Sequence, residues 1–191
     1  DRHFLIFRNF KIIPEYCFSC IKVTINLSNV IELIKLFLIF DNIVLPNNNL
    51  RKCMIDLRKN SKANYKGFIY CRSIEEAEIV RKKINQLLKI KISEKLSANI
   101  KRGCSAFNDL YPGYEDPKNN QVNYNSDWKK HEKDIDEKFT KFQSIRKIQE
   151  TTKGISFYDI MIIKNWLFFA KLTNDESYKK IIMNININPN L

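Results

Sequence analysis

The sequence predicts an α+β protein: one antiparallel sheet of four strands carrying two helices on one face, followed by an α-helical C-terminal extension. Three observations predict it. Four short runs alternate in the period-two manner of strands, and two apolar stripes at helical spacing lie between them behind capping residues. A Pro- and Asn-rich stretch then separates these runs from a region of helical periodicity alone. The chain has 191 residues and is 44% hydrophobic, enough for one domain with a real core plus an extension, or for two small units.

Residues 1–13 read as an extended lead-in stopped by Pro14, since the residue before proline is biased away from helix. From Tyr16 to Asn26 the run alternates, with Ile21, Val23 and Ile25 on one face and Phe18, Cys20, Lys22 and Thr24 on the other; this is the first predicted strand. Asn29, with Glu32 three residues later, starts a strongly apolar helix over Val30 to Phe40. Leu45-Pro-Asn-Asn-Asn is a turn, and Arg51 to Arg58 alternates again as the second strand. Tyr65 to Arg72 supplies the third. There Phe68 and Tyr70 point one way and Ile69 and Cys71 the other. Ser73-Ile-Glu-Glu is a capping box, and Ile74, Ala77, Val80, Ile84, Leu87 and Leu88 continue from it as one helical stripe. Leu96 to Cys104 reads as the fourth strand.

The order strand, helix, strand, strand, helix, strand is the split βαβ, or ferredoxin-like, arrangement over residues 14–106. Right-handed crossovers leave few alternatives. Residues 107–125 read as a loop and domain boundary, and residues 126–191 as the helical extension. In the extension Ser126 caps an amphipathic helix bearing Trp128, Ile135, Phe139, Phe142 and Ile145, and Gly154 breaks the chain. Residues 156–172 are apolar nearly all round, which predicts a helix buried against the main domain or against a protein assembly. A short capped helix over 173–182 and a tail over 184–191 follow.

The net charge of +12 is unevenly placed: residues 51–103 carry 15 basic and 5 acidic side chains, and the flanking regions are nearly balanced. Such asymmetry points to an anionic partner such as RNA or a ribonucleoprotein. The same excess follows from a Lys-, Asn- and Ile-rich composition of the kind an AT-rich genome encodes, and both readings stay open. No apolar run is long enough and uninterrupted enough to span a bilayer, and no signal peptide is visible, although a chain opening on Asp1 reads as a fragment or processed product. Five cysteines in such a chain are expected to be reduced thiols of an intracellular, cytoplasmic protein.

If the apolar faces turn toward the helices, the other side of the sheet exposes Phe18, Lys22, Met54, Lys66, Phe68, Tyr70, Asn99 and Lys101, with Arg102 in the segment that follows. Aromatics interleaved with cations on a four-stranded sheet form a stacking platform for single-stranded nucleic acid. Lys66-Gly-Phe-Ile-Tyr-Cys-Arg-Ser resembles the RNP1 segment of the RNA-recognition-motif family. Lys66, Gly67, Phe68 and Tyr70 match it, whereas Ile69, Cys71 and Ser73 depart from it, and the first strand lacks a matching RNP2. The resemblance implies an RNA-binding sheet face. The competing reading is that Phe68 and Tyr70 are covered by the C-terminal helices or by another subunit.

The predicted topology sends Cys17, Cys20, Cys53, Cys71 and Cys104 toward one end of the sheet. Thiolates there could hold zinc or an iron–sulfur cluster. With strands ~4.8 Å apart, four thiols on four strands would span ~14 Å, so at most Cys17 and Cys20 with Cys104 or Cys71 converge. Cysteine is equally a small core residue, and that reading stands beside the metal one. Nucleophilic thiol catalysis is disfavoured, because the only histidines, His3 and His131, lie in peripheral segments. Lys101-Arg102-Gly103-Cys104-Ser105 reads as a binding loop or an ordinary strand end, and Asp134, Asp136 and Glu137 as a solvated helix face. Together these observations predict a basic, non-enzymatic binding module.

Overall fold

A computed structural model of the chain describes residues 2–58, 61, 63–139 and 154–180. It is a mixed α/β structure with one four-stranded antiparallel sheet and, among the described residues, six α-helices. In chain order these are α1 (Arg2–Phe10), α2 (Glu15–Phe18), β1 (Ile21–Leu27), α3 (Val30–Asn42), β2 (Arg51–Ile55), β3 (Tyr65–Cys71), α4 (Ile74–Lys91), β4 (Ala98–Arg102), α5 (Lys129–Phe139) and α6 (Phe157–Leu172). The strands are ordered β2-β3-β1-β4, and β2 pairs antiparallel with β3 with Arg51 opposite Ile69 and Ile55 opposite Tyr65.

The helix starts follow the capping chemistry of the sequence. Asn29 Oδ1 accepts the Glu32 N–H at 3.0 Å to open α3. Before α4, Ser73 Oγ accepts the Glu76 N–H at 3.2 Å, and the Glu76 carboxylate takes the N–H of Arg72 at 2.6 Å. Ser156 and Asp159 form the reciprocal capping box of α6.

The chain divides into two compact units. One comprises Asp1–Val23, Tyr70–Arg81 and Asn99–Thr151. Its core gathers Ile13, Cys17, Phe107 and Tyr114, flanked by Phe4, Phe7 and Trp128, beside a second cluster of Ile6, Ile12 and Ile135. The other comprises Thr24–Ile69, Lys82–Ala98 and Thr152–Leu191. There α3 buries Val30, Leu33, Leu36 and Phe40. Gly67 lets β3 pass directly beneath that helix, since a Cβ there would collide with Leu36 Cδ2 and crowd the Phe40 ring. α6 docks in the same unit by setting Trp166 edge-on against Phe37 and Phe169 edge-on against Tyr65.

Several expectations are corrected. The lead-in is not extended: Arg2–Phe10 is helical, because Phe4, Ile6, Phe7 and Phe10 recur at helical spacing and join the apolar clusters of their unit. The first strand does not begin at Tyr16, since Glu15–Phe18 forms one helical turn after Pro14 and extended pairing starts only at Ile21. The strands predicted over 51–58 and 96–104 end at Ile55 and span Ala98–Arg102. Residues 107–125 are not a plain loop. Ser105–Asp109 is a 3-10 helix, and Phe107 and Tyr114 are fully buried. The cap expected of Ser126 comes instead from Asn125, whose side chain accepts the Asp127 N–H. Phe142, Ile145, residues 181–182 and the tail over 184–191 lie outside the described residues.

Candidate functional site

The residues expected to form an open platform are withdrawn from solvent. Phe68 is 7% exposed, Lys22 and Lys66 are buried, and Tyr70 is half-buried. Lys66 Nζ lies 2.7 Å from Asp56 Oδ2. Lys101 Nζ lies 2.8 Å from Glu115 Oε2, so its charge is also matched by a carboxylate. Phe18 is not on the sheet at all, because α2 carries it. Its ring lies 5.5 Å from the Arg102 guanidinium and packs edge-on against Tyr114 and Tyr124. Arg102 also faces the Tyr114 ring at 5.5 Å and donates to the carbonyls of Pro117 and Val122. The guanidinium is therefore a buried tie between β4 and the 105–124 segment. The expectation that Arg102 and Phe18 stand free for a ligand is corrected: aromatic packing and carbonyl bonds hold both of them.

The thiols are brought together only in part. Cys17 sits in the core cluster with Ile13, Phe107 and Tyr114, and Cys104 packs at its margin. Cys20 reaches them through Gly103, whose N–H bonds the Cys20 carbonyl at 2.7 Å. A Cβ on Gly103 would lie 3.3 Å from Tyr114 Oη and 3.4 Å from Cys20 Sγ, so the backbone here is packed closely against both residues. Burial pushes the Cys17 thiol up to about 12, with neighbouring Cys104 adding to the effect. It pushes Cys71 up to about 11, with Glu76 reinforcing it, and also raises Cys20 and Cys53. Neutral, inward thiols are poor nucleophiles. Among the described residues no group of three or more His, Cys, Asp or Glu side chains is disposed to hold a metal ion. The expectation that Cys17, Cys20, Cys71 and Cys104 converge on zinc or an iron–sulfur cluster finds no support in that arrangement.

Two surfaces remain available. Of the two expected modes of burial for α6, packing within its own chain accounts only for Trp166 and Ala170, and most of the helix is left in solvent. Ile155, Phe157, Tyr158, Ile160, Met161, Ile162, Phe168 and Leu172 are exposed, eight of the sixteen large apolar side chains exposed among the described residues. Scattered exposed apolar side chains need no explanation, but a concentration of this kind on one helix does. The second surface is the outer side of α4, where Lys82, Lys83, Lys89 and Lys91 stand in solvent and no acid occurs between Ile79 and Lys91. Sequence reasoning overlooked Asp56 as the partner of Lys66. The signal was present: Asp56 directly follows β2 and Lys66 lies on β3, the two segments being joined by a short polar stretch, where opposite charges are brought side by side.

No protein-family profile matches the chain. Comparison with curated proteins and with solved structures also finds no match. No helix among the described residues is long and apolar enough to cross a membrane.

Proposed function

We propose that this chain is a non-enzymatic binding subunit that enters a larger assembly by burying the outer surface of α6 against a protein partner. The supporting observation is the row of exposed apolar side chains from Phe157 to Leu172, whose hydration a partner surface would relieve. We read the scaffold beneath it as a ferredoxin-like βαββαβ module; the strand order β2-β3-β1-β4 supports this reading. The test is a photoreactive amino acid placed at position 168 in the producing cell. One discrete protein adduct, absent when the probe stands at Lys82, is the expected result. No adduct at 168, or the same adducts at both positions, would refute the assembly reading.

A second reading, contact with RNA or a ribonucleoprotein, is favoured by the acid-free cationic side of α4. It no longer relies on a stacking platform, since Phe68 is buried. The RNP1 resemblance of Lys66 to Tyr70 then describes how β3 packs, not how it meets a base.

A further inference from the structure

We propose that the groove between α3 and the end of α4 binds a free anionic amphiphile with one apolar tail, of the fatty-acid class. The groove encloses about 340 Å³ and is lined by Leu38, Ile39, Ile43 and Leu87, with Lys35, Asn42 and Lys91 at its rim. That volume falls at the small end of ligand sites. An apolar cleft holds its solvent poorly, so a tail that displaces it gains in proportion to the apolar area it covers.

Charge selects the head group. Lys35 and Lys91 are both exposed, and among the described residues neither has a carboxylate partner. The two acids of α3 are engaged away from the groove, Glu32 by the Ser28 N–H and Asp41 by the Gly154 N–H. Asn42 donates its amide to the Leu38 carbonyl, which leaves its side-chain oxygen as an acceptor at the rim. Two solvated ammonium groups beside an apolar slot therefore fit a carboxylate on a hydrocarbon chain.

The shape of the groove favours a tail over a partner helix. α3 and the residue after it line the groove from Lys35 to Ile43, about 12 Å, but α4 only from Leu87 to Lys91, about 6 Å at 1.5 Å per residue. A single tail is thin enough to lie along α3 against this short second wall, whereas a helix about 10–12 Å across presents anchors over two turns or more and would meet α4 for only half of that span.

The test is a titration of the whole chain, with its methyl groups labelled, by sodium decanoate below its micellar concentration. The expected result is saturable one-to-one binding, with shifts confined to the methyls of Leu38, Ile39, Ile43 and Leu87. Decyltrimethylammonium, with the same tail and a cationic head, is expected to bind at least about tenfold more weakly. Lys35→Glu with Lys91→Glu should weaken decanoate about tenfold and leave the remaining spectrum unchanged, because both side chains are in solvent. Equal binding of the cationic analogue overturns the proposal, as do shifts centred on α6. Binding seen only with anionic vesicles would assign the groove to a membrane surface. Displacement of decanoate by an acidic amphipathic peptide would assign it to a protein, and either outcome overturns the fatty-acid reading.

Discussion

The Lys66 ammonium and the Asp56 carboxylate meet at 2.7 Å with their side chains only 10% and 2% exposed. Asp56 also accepts from Arg58 Nε and Nη2 at 2.8 and 2.7 Å and from Ser61 Oγ at 3.1 Å. The Arg58 hydrogen bonds above all, with Lys66 and Ser61 assisting, hold this carboxyl well below the usual range despite its burial. A depressed folded pKa gives stability that is present above the unfolded value and lost as pH falls below it, here below about pH 4. Asp56→Asn is expected to cost about 3 kcal/mol in urea unfolding at neutral pH, because Lys66 keeps a buried charge with its carboxylate gone. The variant should also lose part of the acid-side decline of the parent. Adding Lys66→Met to Asp56→Asn should recover most of the loss. A neutral Asp56→Asn would show that the pair is not coupled to folding.

The thiols make a second prediction with the opposite sign. Cys17 and Cys71 titrate at about 12 and about 11 because burial disfavours their thiolates. A folded pKa raised above the unfolded value of about 8.5 gives stability that is complete below that value and lost as pH rises. Stability is therefore expected to decline from about pH 8.5 upward. At pH 8, iodoacetamide should label Cys17 and Cys71 only in urea. Mass spectrometry that found both alkylated in the native protein would contradict the burial argument.

The contrast between these sites explains what was readable beforehand. Local chemistry was legible: Asn29 and Ser73 each cap the helix that their spacing announces. The four strands and both intervening helices follow from alternation and stripe. What alternation could not reveal is which face meets another element. Phe68 and Tyr70 do oppose the α3 side, where Gly67 lies, yet Phe68 is buried. Arg102 read as a free fork because its partners, Phe18, Tyr114 and two carbonyls, come from distant segments. At α1 the helical spacing of Phe4, Phe7 and Phe10 was outweighed by the stop signal of Pro14.

Nucleic-acid contact, if α4 makes it, has a simple electrostatic signature. Lys82 and Lys89 are exposed, so changing each to Gln should leave thermal unfolding nearly untouched. The slope of log affinity for single-stranded RNA against log salt should fall by about 1 per lysine that meets a phosphate. Phe68→Leu should leave that slope unchanged, because the ring is buried. The reverse outcome, affinity lost with Phe68→Leu and kept without the two lysines, would return the contact to the sheet.

α6 offers the sharpest separation of stability from binding, because two aromatics on one helix have opposite fates. Trp166 is 7% exposed and packs on Phe37 at 5.9 Å between ring centres, whereas Phe168 is 62% exposed. Trp166→Ala removes a large buried side chain and is expected to cost about 3–5 kcal/mol. Phe168→Lys replaces a solvated ring with a solvated charge and should change stability by no more than about 0.5 kcal/mol. In an interface the ranking inverts, because a charge placed in an apolar contact is strongly unfavourable. Partner crosslinking from a probe at position 161 should therefore vanish in Phe168→Lys, with the unfolding midpoint held constant. Crosslinking that persists in that variant would mean that the exposed row from Phe157 to Leu172 is not the surface a partner covers.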